Sequence, residues 1–289
     1  MISNEISFHA PRAVEEALAL LAEQGDDVTV LAGGMSLVPM MNLGLAKPDI
    51  VMSLNHVSGL DHVRRDDRSV IIGACARHAH VHRNDVVRRH CPALSEAAAL
   101  VGDVQVRNRG TIGGSVAHAD PAADYLPVLA ALGGAVRLRS AASERLVDPD
   151  DFFIDLMFTA REPSELVTEI VLPVLPDGWG SSYKRLARVE GSFAIVNAAA
   201  VVAPDLSTAR IALGGVGPKP ALIDVAGELR DGLTDGALEQ VEERAYQASA
   251  DATGDVMSDA EYRRAMARVF ARRALAEAVG RSAHVPSHD

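Results

Sequence analysis

Apolar residues fall into helical register early in the chain. After Pro11, Val14, Ala17, Leu18 and Leu21 share one face until Gly25 intervenes, which predicts a helix opened near a proline and stopped by a glycine. The run Val28–Leu31 is short, apolar and rich in β-branched residues, and predicts a buried strand leading straight into Ala32-Gly33-Gly34-Met35-Ser36. Residues 37–45 then predict a short helix and residues 50–54 a second strand, so the first segment is a strand, glycine turn, helix, strand unit of the α/β kind. From Gly59 the pattern changes. Strands are predicted at 61–65 and at Ser69–Gly73 around a polar turn at Asp66-Asp67, alanine-rich helices through Val101, a second glycine turn at Thr111-Ile112-Gly113-Gly114-Ser115, and strands at Ala135–Arg139 and 166–172. Turn formers crowd Pro173-Val174-Leu175-Pro176-Asp177-Gly178, the strongest linker signal in the chain. Strands at 182–188 and 209–213 and helices at 235–250 and 259–279 predict a separate α+β domain beyond it. Ser258 and Glu261 have the spacing of a capping box on the last helix, and the residues after Arg281 read as a loose tail.

The chain has 289 residues, 48% of them hydrophobic and 23% charged, enough for roughly two domains with a substantial core. Aromatic residues are only 4%, so Ala, Val and Leu must fill that core, which argues against stacking platforms for single-stranded nucleic acid. A net charge of -11 has the wrong sign for a nucleic-acid backbone. Cys75 and Cys91 form neither a CxxC nor a metal-ligand set, which argues against a disulfide framework, a zinc ribbon or a bound iron–sulfur cluster and fits a reducing cytoplasm. The start, Met1-Ile2-Ser3-Asn4-Glu5, lacks a basic region followed by an apolar one, and no apolar run approaches ~18 residues. A soluble, cytoplasmic protein with no integral membrane segment is expected.

The candidate chemistry lies in the two glycine turns. A glycine pair after a strand permits positive φ and, lacking Cβ atoms, brings backbone N–H groups close to a phosphate. Ser36, Thr111 and Ser115 offer hydroxyl donors beside them. One such turn is ordinarily just a turn; two, each flanked by hydroxyls and apolar strands, look like two jaws on a diphosphate. The familiar alternatives fail on spacing. No Gly-Lys dipeptide exists for a P-loop, and Gly215-Val216-Gly217-Pro218-Lys219-Pro220 breaks the dinucleotide fingerprint where a helix should begin.

Two motifs carry a resemblance to a known family. Leu31-Ala32-Gly33-Gly34-Met35-Ser36-Leu37-Val38-Pro39 with Pro48-Asp49-Ile50-Val51, and Gln105-Val106-Arg107-Asn108-Arg109-Gly110-Thr111-Ile112-Gly113-Gly114-Ser115 followed by His118-Ala119-Asp120-Pro121-Ala122-Ala123-Asp124, resemble the signatures of the FAD-binding medium subunit of molybdenum hydroxylases. This is the family of the carbon monoxide dehydrogenase medium subunit and the xanthine dehydrogenase flavin domain. The similarity covers nearly the whole chain, including residues 182–217. It implies an α+β protein with α/β-type subdomains: a vanillyl-alcohol-oxidase (PCMH)-type FAD-binding fold with subdomains at 1–58 and 59–176, and a C-terminal α+β domain of the carbon monoxide dehydrogenase flavoprotein type at 177–289.

Carried over residue by residue, the resemblance implies that the loop from Leu31 through Ala32, Gly33, Gly34, Met35 and Ser36 to Leu37, and the loop Thr111, Ile112, Gly113, Gly114, Ser115, hold a non-covalent FAD diphosphate with backbone amides. Asp124 would contact the cofactor's polar chain, Val101 and Leu166 would pack near it, and Lys184 would be the flavin-site lysine. His118, Asp120 and Pro121 would line the same wall. Two departures stand out. Asn42-Leu43-Gly44-Leu45 lacks an arginine that relatives commonly show there, and Phe193 stands where many have a tyrosine near the isoalloxazine, keeping the shielding and losing a hydroxyl. The resemblance further implies an electron-transfer role within a complex, with molybdopterin on a large partner subunit and [2Fe-2S] clusters on a small one, as a dimer of heterotrimers. The chain would accept electrons from those clusters and pass them from FAD to an external acceptor, and it needs no catalytic residue of its own for that. Two cysteines cannot ligate the additional [4Fe-4S] cluster that some relatives carry.

Other readings compete for individual residues. His78, His80 and His82 alternate as metal ligands on a strand would, but their segment reads as helix, where only His78 and His82 stay adjacent. His118, Asp120 and Asp124 are a legitimate ligand set for a metal, yet they follow a phosphate-type turn directly, and no metal site is assigned. Lys184 alone would be a solvated strand residue. Arg264, Arg268 and Arg272 form an i, i+4, i+8 row opposite Tyr262, Met266 and Val269, by default a solvated face, alternatively a docking surface for a partner subunit. Alternatives for the whole chain are a stand-alone FAD-dependent oxidoreductase of the same fold, which usually needs a substrate base near the flavin, and a non-catalytic ligand-binding or assembly protein in which both turns are merely structural.

Overall fold

In the computed structural model the described residues are 5–283, so the tail expected after Arg281 and the extreme N-terminus fall largely outside them. Among the described residues, three larger sheets follow one another along the chain, with a two-stranded hairpin beside the second. The first is parallel: β1 (Ser7–His9), β2 (Val28–Leu31) and β3 (Ile50–Ser53) in the order β1-β3-β2, with α1 (Val14–Gln24) and α2 (Leu37–Asn42) as connections. The apolar face read from the sequence is the buried face of α1: Val14, Ala17, Leu18 and Leu21 pack with Val28, Met52, Leu54 and Leu60. Gly25 ends α1 at φ +52, its N–H bonded to the Leu21 carbonyl, a backbone state that an L-residue adopts only at a cost.

The second sheet is antiparallel and five-stranded, with β4 (Val63–Arg65), β5 (Ser69–Gly73), β6 (Ala135–Arg139), β7 (Glu144–Val147) and β10 (Leu166–Pro173) in the order β4-β5-β10-β6-β7. Six helices separate β5 from β6: α3 (His78–Arg83), α4 (Asp85–His90), α5 (Pro92–Leu100), α6 (Val104–Arg109), α7 (Ile112–His118) and α8 (Tyr125–Leu132). They cover one face of the sheet, and the largest core forms between them, around Ile72, Leu94, Ile112, Leu126, Leu129, Leu138 and Phe152. A short α9 (Pro149–Phe152) and a hairpin of β8 (Phe153–Asp155) and β9 (Phe158–Thr159) complete this part.

The third sheet is a meander of β11 (Gly180–Ala187), β12 (Ala194–Val202), β13 (Ala209–Gly214) and β14 (Ala221–Asp224), backed by α10 (Asp235–Ala248) and α11 (Ala260–Arg281). α11 packs so closely on β11 that a Cβ on Gly180 would overlap the Ala278 carbonyl, and the Ser182 hydroxyl donates to the Ala274 carbonyl at 2.6 Å. β12 is buried along its whole length. Val196, Ala198, Ala200 and Val202 face α10 and α11, while Ala199 and Val201 face the core of the second sheet.

Three expectations are corrected. The second glycine turn is the first turn of α7, capped by Thr111, whose hydroxyl accepts from the Gly114 N–H at 3.2 Å. The cap of α11 is Asp259, which accepts from the Tyr262 N–H at 2.7 Å; the helix begins one residue later than the Ser258 box requires, and an aspartate caps as well as a serine. The arginine row of α11 meets α10 of the same chain. Arg264 and Arg268 lie 3.9 and 4.3 Å from the Tyr246 ring centroid, Arg268 pairs with Glu243, and Arg272 pairs with Glu242. It is therefore an internal helix–helix contact. Among the described residues no helix is long and apolar enough to cross a membrane.

Candidate functional site

The first glycine loop leaves β2 and enters α2, with Gly34 at φ +76 turning the chain. Among the described residues the N–H groups of Ala32, Gly33, Gly34, Met35 and Ser36 donate to no protein acceptor. Five consecutive main-chain donors without partners beside a half-exposed serine hydroxyl are available to an anion. Gly33 is glycine for a different reason: a Cβ there would overlap the Arg109 carbonyl oxygen and lie 2.6 Å from the Gly110 Cα. The two loops that the sequence places some eighty residues apart thus touch backbone to backbone.

The second loop contributes differently. Its first amides are already engaged, Ile112 N–H with the Ala76 carbonyl at 3.0 Å, Gly113 N–H with the Ala74 carbonyl at 2.9 Å and Gly114 N–H with Thr111. What it can offer a ligand is the hydroxyl hydrogen of the buried Thr111 and the half-exposed Ser115 hydroxyl. Neither Gly113 nor Gly114 has positive φ. Gly113 is required because a Cβ would lie 2.7 Å from the Ala74 carbonyl oxygen, and Gly114 because one would lie 2.8 Å from Thr111 Oγ1.

The segment 118–124 after α7 is stitched to the third sheet. The Pro121 carbonyl accepts from the Gly215 N–H at 2.9 Å and the Ala123 carbonyl from Asn197 Nδ2 at 3.3 Å. Buried Asp124 accepts from the Tyr183 hydroxyl at 2.5 Å and from Arg185 at 3.1 Å. Burial pushes the Asp124 carboxyl up from its ordinary range, against the opposing pull of Arg185 and Tyr183. His118 is half-buried, and Asp120 accepts from the Ala122 N–H at 2.8 Å within its own turn. Lys184 points to the opposite side of β11 from Tyr183 and Arg185 and pairs with Glu277 of α11. Leu166 is buried with Leu60 and Cys75 in the core under the first sheet.

The rim is apolar. Val101 is half-buried at the end of α5, and Met35 and Phe193 are exposed, the latter at 58%. A Cβ on Gly191, in the same 188–193 loop as Phe193, would lie 3.6 Å from the Gly102–Asp103 backbone, so the C-terminal segment packs near the loop that follows Val101. Sequence reasoning missed Tyr183, Arg185 and Asn197, which hold the domain in place, and Arg77, whose guanidinium bonds the Arg109 carbonyl and, at 2.9 Å, Asn55 Oδ1. For the first three, the signal would have been polar residues alternating within otherwise buried strands.

His78, His80 and His82 lie on α3 and take separate partners. His78 Nδ1 is 2.8 Å from the Tyr125 hydroxyl, His80 Nε2 is 3.3 Å from Asn84 Nδ2, and His82 Nδ1 is 3.1 Å from the Ser95 carbonyl. An open cleft of about 690 Å³ lies between the first turn of α1 and the outer face of the second sheet. None of the glycine-loop residues lines it, and its Arg64, Arg137 and Arg139 are paired with Glu169, Glu144 and Glu15. The glycine loops, by contrast, keep unspent main-chain donors among the described residues. Juxtaposed phosphate-type loops with apolar side chains beside them fit an extended dinucleotide cofactor.

Comparison with known proteins agrees. The family described as the FAD binding domain in molybdopterin dehydrogenase matches residues 4–175, and the CO dehydrogenase flavoprotein C-terminal domain matches residues 181–278. The chain belongs to the family of FAD-binding medium subunits of molybdenum hydroxylases, and is an oxidoreductase subunit. It is 37% identical to the carbon monoxide dehydrogenase medium chain of Hydrogenophaga pseudoflava over 98% of this chain and 100% of that one. It is also 37% identical to the 6-hydroxypseudooxynicotine dehydrogenase complex subunit alpha of Paenarthrobacter nicotinovorans over 93% of each. Among solved structures, the Hydrogenophaga carbon monoxide dehydrogenase matches with a TM-score of 0.91 at 35% identity, covering 98% of this chain and all of that chain. Quinoline 2-oxidoreductase from Pseudomonas putida 86 matches with 0.89 at 28% identity, again over 98% of this chain and all of that one.

Proposed function

We propose that the chain is the electron-transfer subunit of a three-component molybdenum hydroxylase, taking electrons from [2Fe-2S] clusters of a small subunit and delivering them to an external acceptor. A large molybdopterin subunit would carry out the hydroxylation, and two such heterotrimers would pair. The observation that carries this reading is the run of five unpartnered main-chain donors at 32–36 pressed against the 109–115 loop, together with likeness to medium chains along the full length. When bound, FAD supplies the redox chemistry; the protein supplies binding, orientation and tuning.

The chain's residues divide that work. The amides of Ala32 to Ser36, with the hydroxyls of Ser36, Thr111 and Ser115, hold the diphosphate. Val101, Met35 and Leu37 give the cofactor apolar contact, and Phe193 shields its ring from water without offering a hydroxyl. Asp124 holds Tyr183 and Arg185, so the wall made by His118, Asp120 and Pro121 keeps its distance from the C-terminal domain. Lys184, which the family resemblance makes the flavin-site lysine, is paired with Glu277 of α11 on the other face of β11 from Tyr183, and Leu166 backs the first loop from the core. The test is the visible spectrum of the protein purified with its co-purifying subunits, followed by denaturation and identification of the released cofactor. FAD with iron–sulfur absorbance and molybdenum in a larger complex is the expected result. No flavin, even after FAD and partner subunits are added, would sink the assignment.

A further inference from the structure

We propose that Arg77 and His78 are positioning residues for the diphosphate cradle: Arg77 clasps the two glycine loops together, and His78, braced by Tyr125, is the floor that fixes the height of the second. This rests on the reading of those loops as the FAD site. The pair stands at the start of α3, where Arg77 bridges to Thr111 in strand fashion and the His78 N–H bonds the Gly110 carbonyl at 3.1 Å.

The Arg77 side chain reaches both sides of the seam. It donates to the Arg109 carbonyl, the oxygen against which Gly33 is pressed, and to Asn55 Oδ1 at 2.9 Å. Asn55 is anchored by its own amide to Ser53 Oγ at 3.0 Å, and Ser53 stands beside Leu31 in the parallel pairing that leads into the first loop. One guanidinium thus ties the strand end that launches Ala32–Ser36 to the backbone of the loop facing it. Its planar, multidirectional donors suit it to hold two acceptors at once, which a lysine cannot do in the same geometry.

His78 acts from below. A Cβ on Gly110 would lie 2.5 Å from His78 Nε2, so the loop backbone rests directly on the imidazole edge. The ring cannot retreat, because its Nδ1 is 2.8 Å from the Tyr125 hydroxyl and both residues are buried. Tyr125 follows Asp124, the residue bonded to Tyr183 and Arg185. A continuous stack therefore runs from Gly33 through Gly110, His78 and Tyr125 to the C-terminal domain. Burial, followed by the neighbouring charges of Arg77 and Arg107, holds the imidazole neutral, and Arg77 in turn sits beside the charge of Arg109, which an anion at the seam would relieve.

The experiment uses the full chain stripped of flavin and titrated with FAD, following flavin fluorescence, with the thermal midpoint of each apoprotein measured in parallel. Arg77→Met is expected to weaken FAD binding about 10–100-fold, the effect of losing charge-assisted hydrogen bonds that position the donors. Asn55→Ala is expected to weaken it less, and the double variant to be no worse than Arg77→Met. Gly110→Ala is expected to impair FAD binding because its Cβ would strike the His78 ring, and His78→Ala to weaken it by removing the floor under Gly110. Where Arg77→Met does not fold, Asn55→Ala, Gly110→Ala and His78→Ala carry the test. Lowered thermal midpoints with unchanged FAD affinity in these variants would overturn the proposal, since the residues would then serve the fold alone. A wild-type chain that binds no FAD would overturn the reading of the site itself, and the clasp with it.

Discussion

Acid should destabilise this protein through His78 well before its ordinary carboxylates protonate. The ring lies under Gly110 with its Nδ1 on the Tyr125 hydroxyl, and burial, assisted by Arg77 and Arg107, brings its pKa from 6.5 down to about 4. The folded state therefore holds the imidazole neutral over a range in which the unfolded chain protonates it. Between those two values the unfolded state binds more protons, so stability falls as the pH falls. At pH 7 both forms are mostly neutral and the penalty is negligible. At pH 5 it amounts to about 2 kcal/mol, and near pH 4 to about 3 kcal/mol, a sizeable part of the ~5–15 kcal/mol that stabilises a typical domain. The assay is urea unfolding of the full chain at a series of pH values from 7.5 to 5, read from the fluorescence of Trp179, the single tryptophan, which packs against the core of the second sheet. The His78→Gln variant provides the reference, because every other titrating group is common to both proteins. Wild type is expected to lose about 2 kcal/mol more than the variant between pH 7 and pH 5. Parallel losses would show that His78 is hydrated or charged in the folded protein and would refute the argument.

Other outcomes follow from contacts already described. Gly33→Ala puts a Cβ into the Arg109 carbonyl, an overlap with backbone that cannot swing away; a loss of about 1–3 kcal/mol in stability and failure to retain FAD are expected by denaturation and flavin release. Asp124→Ala removes the partner of Arg185, whose side chain is only 7% exposed, and should cost about 3–5 kcal/mol in urea titrations, with Tyr183 and Arg185 left unpaired. Reversing Arg264 and Arg268 to glutamate should lower the thermal midpoint by disrupting their stacking on Tyr246, about 1 kcal/mol for partly exposed cations. Assembly with partner subunits on gel filtration should be unchanged in the surviving protein.

Much of the fold was legible because the amphipathic elements announce themselves. Val14, Ala17, Leu18 and Leu21 gave α1 its face, and β2 and β5 occupy the runs the pattern marks. β12 was not legible, for a physical reason. It is covered on both sides, by α10 and α11 on one face and by the second core on the other, so it has no polar alternation, and its alanines carry no strand propensity. The arginines of α11 show the opposite failure. Their spacing reads as a solvated row, and only the position of α10 reveals that Tyr246 and two glutamates occupy that face.

The glycines mark where sequence reasoning stops and packing begins. Positive φ explains Gly34, but it does not explain Gly33, Gly110 or Gly113, each of which is excluded from carrying a Cβ by an atom of a distant segment, nor Gly114, whose Cβ would crowd Thr111 Oγ1 in its own turn. Gly33 meets Arg109 and Gly110, Gly110 meets His78, and Gly113 meets Ala74. A motif of paired glycines therefore encodes two requirements at once, a turn and a seam, and the seam is visible only when both loops are in place. The same packing explains why one loop keeps free amides and the other does not. Ala74 and Ala76 take the N–H groups of Gly113 and Ile112, locking α7 as a rigid base, while the five donors at Ala32 to Ser36 face no protein acceptor and are held in place by that base.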